Sequence, residues 1–442
     1  MIMFNNARII NQGYILILGA TVASCITFFS IEAIFPIVFI LAGLLIGILL
    51  IENNNKFLIS LFLVMFLLKI AISLLLFNSI FLYKGTGLLG DAWSYSESGY
   101  SILQMWLRGI RNIGEITSNM MKITTSGNLG SYDFWNAIVY YFTGKSPLSL
   151  IFINCLASSL TVIFIYQITK QLYNEKAAKI SAILTAFWPS LFVWSIQNLK
   201  EPLSIFLTAL LIWIILQLKI KFRLYLLFLI ILSSIALKEL RMVSFFMFYT
   251  VILPFSLTLF LWKKNRILFI FLIVSIGLIV IIIINHYLMR FLPQNQSSFS
   301  LFEYIYKMRT YRAYGNTAFL SNLDITNPAI FMFFVPIALL VAWLAPFPWQ
   351  IGSVSQITAI PEMLLYYALL PAMFLGWGFI MRYKIKEGGV IVLYIFIMML
   401  VLAFIEGNIG TLFRHRAMVL PFMFVLIGIG LEKAKFKITA HS

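Results

Sequence analysis

The sequence is poor in charged residues and has only two cysteines. Charged side chains make up 11% of the 442 residues, whereas hydrophobic ones make up 62% and the mean hydropathy is +0.98. A water-soluble domain usually has about a quarter of its residues charged, so a soluble globular protein is excluded. Cys25 and Cys155 each lie within an apolar run, a spacing that fits neither a disulfide framework nor a zinc site. Both are expected to be small core residues.

Motifs for metal and nucleotide binding are also lacking. The three histidines are widely dispersed, and no Asp-x-Asp pair offers oxygen ligands to a hard cation. No glycine-rich loop of the phosphate-binding type precedes a Lys-Ser or Lys-Thr pair. The sequence therefore shows no nucleotide-binding motif that could drive transport with ATP. We therefore predict that the protein has no metal site and uses no cofactor.

The basic excess does not indicate a nucleic-acid partner. The net charge is +17, from 32 Lys and Arg against 15 Asp and Glu. These basic residues fall in short clusters between apolar runs and do not follow one continuous face. Such clusters set the orientation of a membrane protein, because short cytoplasmic loops are enriched in Lys and Arg.

Twelve apolar runs have the length of a membrane-spanning helix. At roughly 20 residues a span, the chain has room for about 10 to 14 of them and for no separate soluble domain. The runs lie near residues 11–31, 33–51, 57–83, 147–169, 177–196, 202–218, 223–238, 242–262, 267–288, 361–381, 389–405 and 417–431.

A thirteenth apolar stretch, 329–345, is open to two interpretations. If it crossed the membrane completely, the basic clusters at 382–386 and 433–437 would lie outside, against the positive-inside rule. If it is a re-entrant hairpin, closed by Pro346-Phe347-Pro348-Trp349-Gln350, every basic cluster is cytoplasmic. We favour the hairpin, which gives twelve spans in the plasma membrane with both termini in the cytoplasm.

This topology divides the chain into three parts. A transmembrane hairpin occupies 1–56, a membrane core 57–288, and a second outer segment with the re-entrant hairpin and the last spans 289–442. The core includes a long outer segment, 84–146, and loops of such length are commonly functional. Within it, an amphipathic helix at the outer membrane surface is predicted from apolar residues spaced near 3.6: Tyr95, Tyr100, Leu103, Trp106, Leu107 and Ile110.

Candidate chemical groups gather at the outer ends of spans. Asp91 opens the first outer segment, and its carboxylate is well placed to accept a proton from a hydroxyl. Trp93 and Tyr95 follow it and are suited to stacking on a sugar ring. Asp91 also suits the cap of a helix, and both explanations stay open.

Two further groups of candidate residues contain cations. Lys200 and Glu201 precede Pro202 in the turn between the fifth and sixth spans, where Lys200 indicates an anionic partner; Glu201 and Pro202 also suit the first turn of a helix. Arg414, His415 and Arg416 lie before the last span, and arginine binds phosphate through two parallel hydrogen bonds. Contact with lipid headgroups is the alternative for these three.

The second outer segment and one span carry other cations. Arg309 and Arg312 alternate with tyrosines, a composition that suits a sugar phosphate or a lipid headgroup equally. Lys69 lies within the third predicted span and is costly there unless it faces a polar partner. We expect it to be a supporting residue.

Three of these segments together resemble a known superfamily. An outer-loop Asp91 after an early span, a Lys200-Glu201-Pro202-Leu203 turn, and a Phe413-Arg414-His415-Arg416 segment before a final span with Pro421 resemble bacterial GT-C glycosyltransferases. These are integral-membrane enzymes related to protein O-mannosyltransferases and lipid A aminoarabinose transferases. The resemblance extends from about residue 57 to the end.

The resemblance implies an all-α polytopic membrane protein, a GT-C-like bundle of about twelve transmembrane helices. It implies inverting transfer of a sugar from a polyprenyl-phosphate donor to a lipid, glycan or protein acceptor on the outer face, among membrane lipids and without nucleic acid. Asp91 matches the first-loop aspartate taken as the base or as an acceptor-positioning group, and Glu201 stands where a relative carries a second functional acid. The donor phosphate would be held by Lys200, Arg414, His415 and Arg416, and the substrate by Trp93, Tyr95, Arg309 and Arg312, all around one pocket.

Two other functions stay open. A polysaccharide polymerase or ligase also acts on a polyprenyl-linked donor but transfers a whole oligosaccharide. A secondary transporter or flippase would be expected to have inverted repeats and broken helices at the bilayer midplane. The sequence shows no such internal symmetry, and its polar residues gather at one face instead of the midplane.

Overall fold

The computed structural model describes ten stretches of the chain. They are residues 34–51, 55–77, 90–123, 129–241, 244–245, 248, 301–313, 317–320, 323–349 and 354–441. The predicted spans 11–31 and 267–288 and Cys25 lie outside them, as does nearly all of 242–262. The chain divides into two compact units, the first made of 1–163 and 191–206 and the second of 164–190 and 207–442.

Helices account for almost all of the described residues. The first eight are α1 (Ile34–Leu50), α2 (Lys56–Phe77), α3 (Gly90–Leu107), α4 (Ile113–Ile123), α5 (Ser131–Thr143), α6 (Pro147–Leu172), α7 (Glu175–Phe187) and α8 (Pro189–Ser195). The others are α9 (Glu201–Ile220), α10 (Leu224–Leu240), α11 (Leu301–Arg312), α12 (Pro328–Leu344), α13 (Val354–Tyr383), α14 (Ile385–Ile405), α15 (Ile409–Arg416) and α16 (Leu420–His441).

Several of these helices can cross a membrane. By length and composition, α2, α6, α9, the 359–383 part of α13, and α14 qualify among the described residues. The bent pairs α7–α8 and α15–α16 bring the number from five to seven if each pair is one span. The prediction of an all-α polytopic membrane protein is therefore confirmed, whereas the count of about twelve spans stays a prediction.

One predicted span is broken. The run 177–196 forms α7 and α8, which are bent by 54° relative to each other. Pro189 explains the break, because a proline disfavours the helical conformation of the residue before it; Trp188 is accordingly extended, with φ −64° and ψ 124°. The buried Glu362 carboxylate accepts hydrogen bonds from Trp188 Nε1 (2.6 Å) and the Ser190 amide (2.8 Å) at the break.

In the first unit, α3 packs against α4 and α5. Gly99 permits the close approach, since a Cβ there would lie 2.4 Å from the Cβ of Asn136. Ile102 and Met105 of α3 are buried in a cluster with Ile116 and Ala137. The prediction of a helix in this segment is thus confirmed, but of the six residues that predicted its apolar face only Leu103 is buried, Leu107 is 65% exposed, and Ile110 lies beyond the end of the helix. Its position at the membrane surface stays a prediction.

In the second unit, α13 and α16 cross closely. A Cβ on Gly376 would overlap the Leu426 carbonyl, and one on Gly430 would overlap that of Ala372. Small residues of this kind let two apolar helices approach in a membrane, where packing and not water exclusion drives association. This close crossing fixes the position of α16 and therefore of α15, which precedes α16 in the chain.

The proposed re-entrant segment is also in the second unit. It forms α12, a 17-residue apolar helix whose first turn is capped by the Asn327 side chain. The Tyr367 hydroxyl donates to the carbonyls of Leu344 and Pro346, so the turn after α12 is tied to α13. Whether α12 enters and leaves on one side of the membrane stays a prediction.

Candidate active site

The first predicted site residues lie at the start of α3, in the first unit. Asp91 is exposed in the first turn, where a carboxylate also complements the helix dipole. Trp93 is 44% exposed, so much of its ring is accessible. Tyr95 makes an edge-to-face contact with Tyr132 of α5, with ring centroids 4.9 Å apart. The start of α3 therefore presents a carboxylate and an aromatic ring at the surface of its unit.

The turn at 196–200 brings a cation to the same aromatic residues. The Lys200 ammonium lies 5.8 Å from the centroid of the Tyr95 ring, within cation–π range. Glu201 begins α9 directly after it and is fully buried. The structure thus brings together Tyr95 and Lys200, two candidate residues about a hundred positions apart, and their roles in the site stay predictions.

Asn198 connects this turn to α3 and α5. Its Nδ2 donates to Asn136 Oδ1 at 2.6 Å and to the Ala92 carbonyl at 3.4 Å. Its Oδ1 accepts from the Tyr132 hydroxyl at 2.8 Å. Because Ala92 follows Asp91 in the first turn of α3, this amide fastens the turn that carries Asp91 to the turn that carries Lys200.

A second buried amide fastens the turn from α6. Asn154 Nδ2 donates to the carbonyls of Gln197 and Leu199, both at 2.8 Å, and makes a longer contact of 3.4 Å with the Tyr132 hydroxyl. Burial raises the pKa of Tyr132 well above its usual value, so this phenol stays a hydrogen-bond donor. The sequence analysis did not single out Asn154, Asn198 or Tyr132.

Asp133 is a buried carboxyl that the sequence analysis also missed. Its side chain accepts a hydrogen bond from the Gly130 amide at 2.7 Å, as the third residue of a capped helix does. Burial raises its pKa to about 6, although the Gly130 hydrogen bond and the charge of Lys200 lower it in part. The capping position was visible in the sequence, but burial was not.

In the second unit, Arg309 of α11 is deeply buried. Its guanidinium donates to the carbonyls of Glu406 and Phe319, each at 2.7 Å, and lies 4.7 Å from the centroid of the Phe334 ring. Burial lowers its pKa to about 10, and the Glu406 charge opposes this. These contacts join α11 to the end of α14 and use the guanidinium for internal support.

Glu406 is the centre of a charge cluster in this unit. Its Oε1 receives a hydrogen bond from Arg312 and lies 2.8 Å from Nδ1 of His415. Burial alone would raise the pKa of Glu406. The hydrogen bond with His415 and the charges of His415, Arg312 and Arg241 outweigh burial, so the pKa lies below its usual value. The sequence analysis predicted the cations but not their shared carboxylate.

Arg416 at the end of α15 is buried as well. It donates to the carbonyls of Trp343 (3.0 Å) and Ala345 (2.7 Å), and its other terminal nitrogen contacts the Met363 sulfur. Arg414 lies two residues earlier on the helix and is half-buried. One of the two predicted phosphate-binding arginines thus supports the turn after α12.

The predicted site residues fall into both units. Asp91, Trp93, Tyr95, Lys200 and Glu201 belong to the first, and Arg309, Arg312, Arg414, His415 and Arg416 to the second. The structure brings residues together within each unit as described above. The expected convergence of all ten on one pocket stays a prediction.

The central region of the sequence matches a known family. Residues 132–287, about a third of the chain, match the dolichyl-phosphate-mannose-protein mannosyltransferase family. The matched stretch includes Tyr132, Asn154, Asn198 and Lys200. No curated protein sequence matches the chain. The family match and the apolar helices support a membrane glycosyltransferase of the GT-C type, in agreement with the resemblance found in the sequence.

Proposed function

We propose that the protein transfers a sugar from a polyprenyl-phosphate-linked donor to a hydroxyl acceptor on the extracytoplasmic face of the plasma membrane, with inversion at the anomeric carbon. The observation that carries this proposal is the contact of Asn198 Nδ2 with the Ala92 carbonyl at 3.4 Å, which links the turn bearing Asp91 to the turn bearing Lys200. A carboxylate, aromatic rings and a cation are the groups that such a transfer needs. The matched family's description names mannose on dolichyl phosphate as donor and protein as acceptor, so polyprenyl-phosphate mannose is the first donor to test.

The chemical step needs one proton transfer and one displacement. Asp91 accepts the proton of the acceptor hydroxyl, whose oxygen attacks the anomeric carbon as the bond from that carbon to the phosphate oxygen breaks. The electron pair leaves on the polyprenyl phosphate, and the Lys200 ammonium stabilises the developing charge. Trp93 and Tyr95 stack against the sugar, and Glu201 is the second acid. The phosphate is already a good leaving group, so the proposal includes no metal.

The cations of the second unit have separate roles. Arg414 and His415 contribute to binding of the donor phosphate. For Arg416 and Arg309, the hydrogen bonds to backbone carbonyls favour support of the surrounding helices over substrate contact. Arg312 acts through its hydrogen bond with Glu406.

The base is tested by Asp91→Asn in the purified, lipid-reconstituted protein. Radiolabelled polyprenyl-phosphate mannose, glucose and aminoarabinose are supplied with a membrane extract of the native cells as acceptor, and transfer of label is measured. We expect the variant to lose at least about 100-fold in rate, the contribution of a general base. Glu115→Gln, which changes an exposed carboxylate on α4, is the matched control and should keep full activity. An Asp91→Asn enzyme with undiminished turnover would refute the proposed base.

A further inference from the structure

The side chain of Asn154 is used in an unusual way. It is fully buried in the apolar helix α6, where a carboxamide is costly unless its polar atoms have partners. Its amino group donates to two carbonyls, those of Gln197 and Leu199, which belong to the turn just before Lys200. Within the described residues, its Oδ1 is buried without a hydrogen-bond partner.

The unpartnered oxygen shows what fixes the orientation of this amide. Rotating the carboxamide by half a turn would place Oδ1 against two carbonyl oxygens and remove its hydrogen bonds to both, although the Gln197 carbonyl would keep the Leu199 amide as a donor at 2.9 Å. The observed orientation therefore satisfies the turn at the expense of the side chain's own acceptor. A buried group left unsatisfied costs about 1 to 3 kcal/mol, so the orientation that serves two carbonyls and leaves one side-chain oxygen without a partner is the more stable of the two.

The same turn is held at other points of the first unit. The Cys155 thiol, next to Asn154 on α6, contacts the Ser195 carbonyl at 3.5 Å. Asn198, inside the turn, is fixed by Tyr132 and by Asn136. Contacts from α5 and α6 thus leave the backbone of 195–199 little freedom, and Lys200 follows directly after it.

We propose that Asn154 is a positioning residue, which fixes the backbone of the 197–199 turn and thereby the placement of Lys200 and Glu201. This inference rests on the proposed function of Lys200 as a ligand of the donor phosphate. Asn154 itself touches no substrate. It acts through the two carbonyls, in the way that supporting groups hold a binding residue within the narrow tolerance that function requires.

The first test measures the turn directly. Asn154→Leu keeps the number and branching of the side-chain heavy atoms and removes both hydrogen bonds. Ser159→Ala is the matched control, because Ser159 is equally buried on α6 but donates only to Cys155 of its own helix. We expect amide hydrogen exchange of the 196–203 peptide to accelerate in Asn154→Leu and to be unchanged in Ser159→Ala. Unchanged exchange in both variants would overturn the proposal.

The second test asks whether Asn154 acts through Lys200. Binding of farnesyl phosphate, a short polyprenyl phosphate, is measured for Asn154→Leu, Lys200→Ala and the double variant. Lys200→Ala should weaken binding about tenfold, the loss of one charge-assisted contact. Asn154→Leu should weaken it several-fold alone and not at all in the Lys200→Ala background, because coupled residues are non-additive. Additive losses would mean a general structural effect and would overturn the proposal.

The two proposals fail in different ways. If Lys200→Ala binds farnesyl phosphate as tightly as the natural protein, the role of Lys200 is wrong and the inference about Asn154 falls with it. If Lys200→Ala is weak but Asn154→Leu is normal, only the positioning role is wrong. Should Asn154→Leu fail to fold, Tyr132→Phe replaces it: the ring contact with Tyr95 is kept, the bond to Asn198 is lost, and the same non-additivity is expected.

Discussion

Each unit of the protein buries a carboxyl group outside its membrane-spanning helices, and the pKa values of these two groups shift in opposite directions. Asp133 in the first unit has a pKa raised to about 6, whereas the pKa of Glu406 in the second lies below its usual value. Both side chains are at most 5% exposed. Burial by itself therefore does not decide the charge state.

The hydrogen-bonding and charged partners of each carboxyl group decide its charge state. Backbone hydrogen bonds from Gly130 and from the amide of Asp133 itself, together with the Lys200 charge, lower the pKa of Asp133, but the desolvation cost prevails. Glu406 contacts Arg312 and His415 directly, and their hydrogen bonds and charges exceed the same cost. The first unit thus has a carboxyl with a pKa of about 6, and the second has one that is ionised at neutral pH and contacts Arg312 and His415.

The largest expected effect is that of Glu406→Gln. This variant leaves Arg312 and His415 facing a neutral amide, and removing one partner of a buried ion pair typically costs about 3 to 5 kcal/mol. We expect the free energy of unfolding at pH 7 to fall by about 3 kcal/mol, somewhat less than for a fully buried pair because Arg312 is partly exposed. Thermal or denaturant-induced unfolding of the purified protein in detergent measures this loss.

Glu387→Gln is the matched control for Glu406→Gln. Glu387 is half-buried at the other end of α14, and its replacement should leave the free energy of unfolding nearly unchanged. The pH dependence gives an independent check. Because the folded pKa of Glu406 is depressed, its contribution is complete above the unfolded value of about 4.5 and is lost as the pH falls through the folded value. The gap between wild type and Glu406→Gln should therefore narrow below about pH 4.5; a constant gap would contradict the ion-pair explanation.

The second prediction concerns Asp133, whose contribution to stability has the opposite pH dependence. Asp133 binds its proton more tightly in the folded protein, so its contribution to stability is greatest below pH 3.8 and declines as the pH rises from there to about 6. Asp133→Asn keeps an oxygen that can accept from Gly130 and removes the charge. We expect it to raise the free energy of unfolding at pH 8 by about 2 kcal/mol and to change little at pH 4.

Unfolding curves of the natural protein and of Asp133→Asn, recorded at pH 4 and pH 8, measure this change in the free energy of unfolding. Asp133→Asn in a Lys200→Ala background is a useful control, because loss of the Lys200 charge should raise the Asp133 pKa further and enlarge the gain at pH 8. A variant that is destabilised equally at both pH values would show that capping, and not desolvation, governs this position.

The sequence predicted the helices far better than these partners. The runs 147–169 and 202–218 correspond to Pro147–Leu172 and Glu201–Ile220, because long apolar stretches have few alternatives to a spanning helix. The break at Trp188 was missed although Pro189 signalled it. Local sequence carries such signals even inside a hydrophobic run.

The candidate site was harder to predict, for a physical reason. Asp133, Asn154 and Glu406 matter through contacts with residues distant in sequence, and each is a single polar residue with several ordinary explanations. Asn154 could have been noticed as one of two carboxamides inside the run 147–169, since polar groups there need a partner. Nothing local identifies Gln197 and Leu199 as that partner.

The smallest expected effect distinguishes the two arginines of α15. Arg416 donates to two backbone carbonyls, so Arg416→Ala should chiefly lower stability, whereas Arg414 is half-buried and is proposed to bind the donor phosphate. Arg414→Ala should weaken farnesyl phosphate binding about tenfold, equivalent to about 1.4 kcal/mol, with an unchanged unfolding temperature. Arg414→Lys should recover part of the affinity, because a lysine keeps the charge but not the paired hydrogen bonds. Unaltered affinity in Arg414→Ala would remove this residue from the donor site and leave Lys200 as the cation on which the proposal depends.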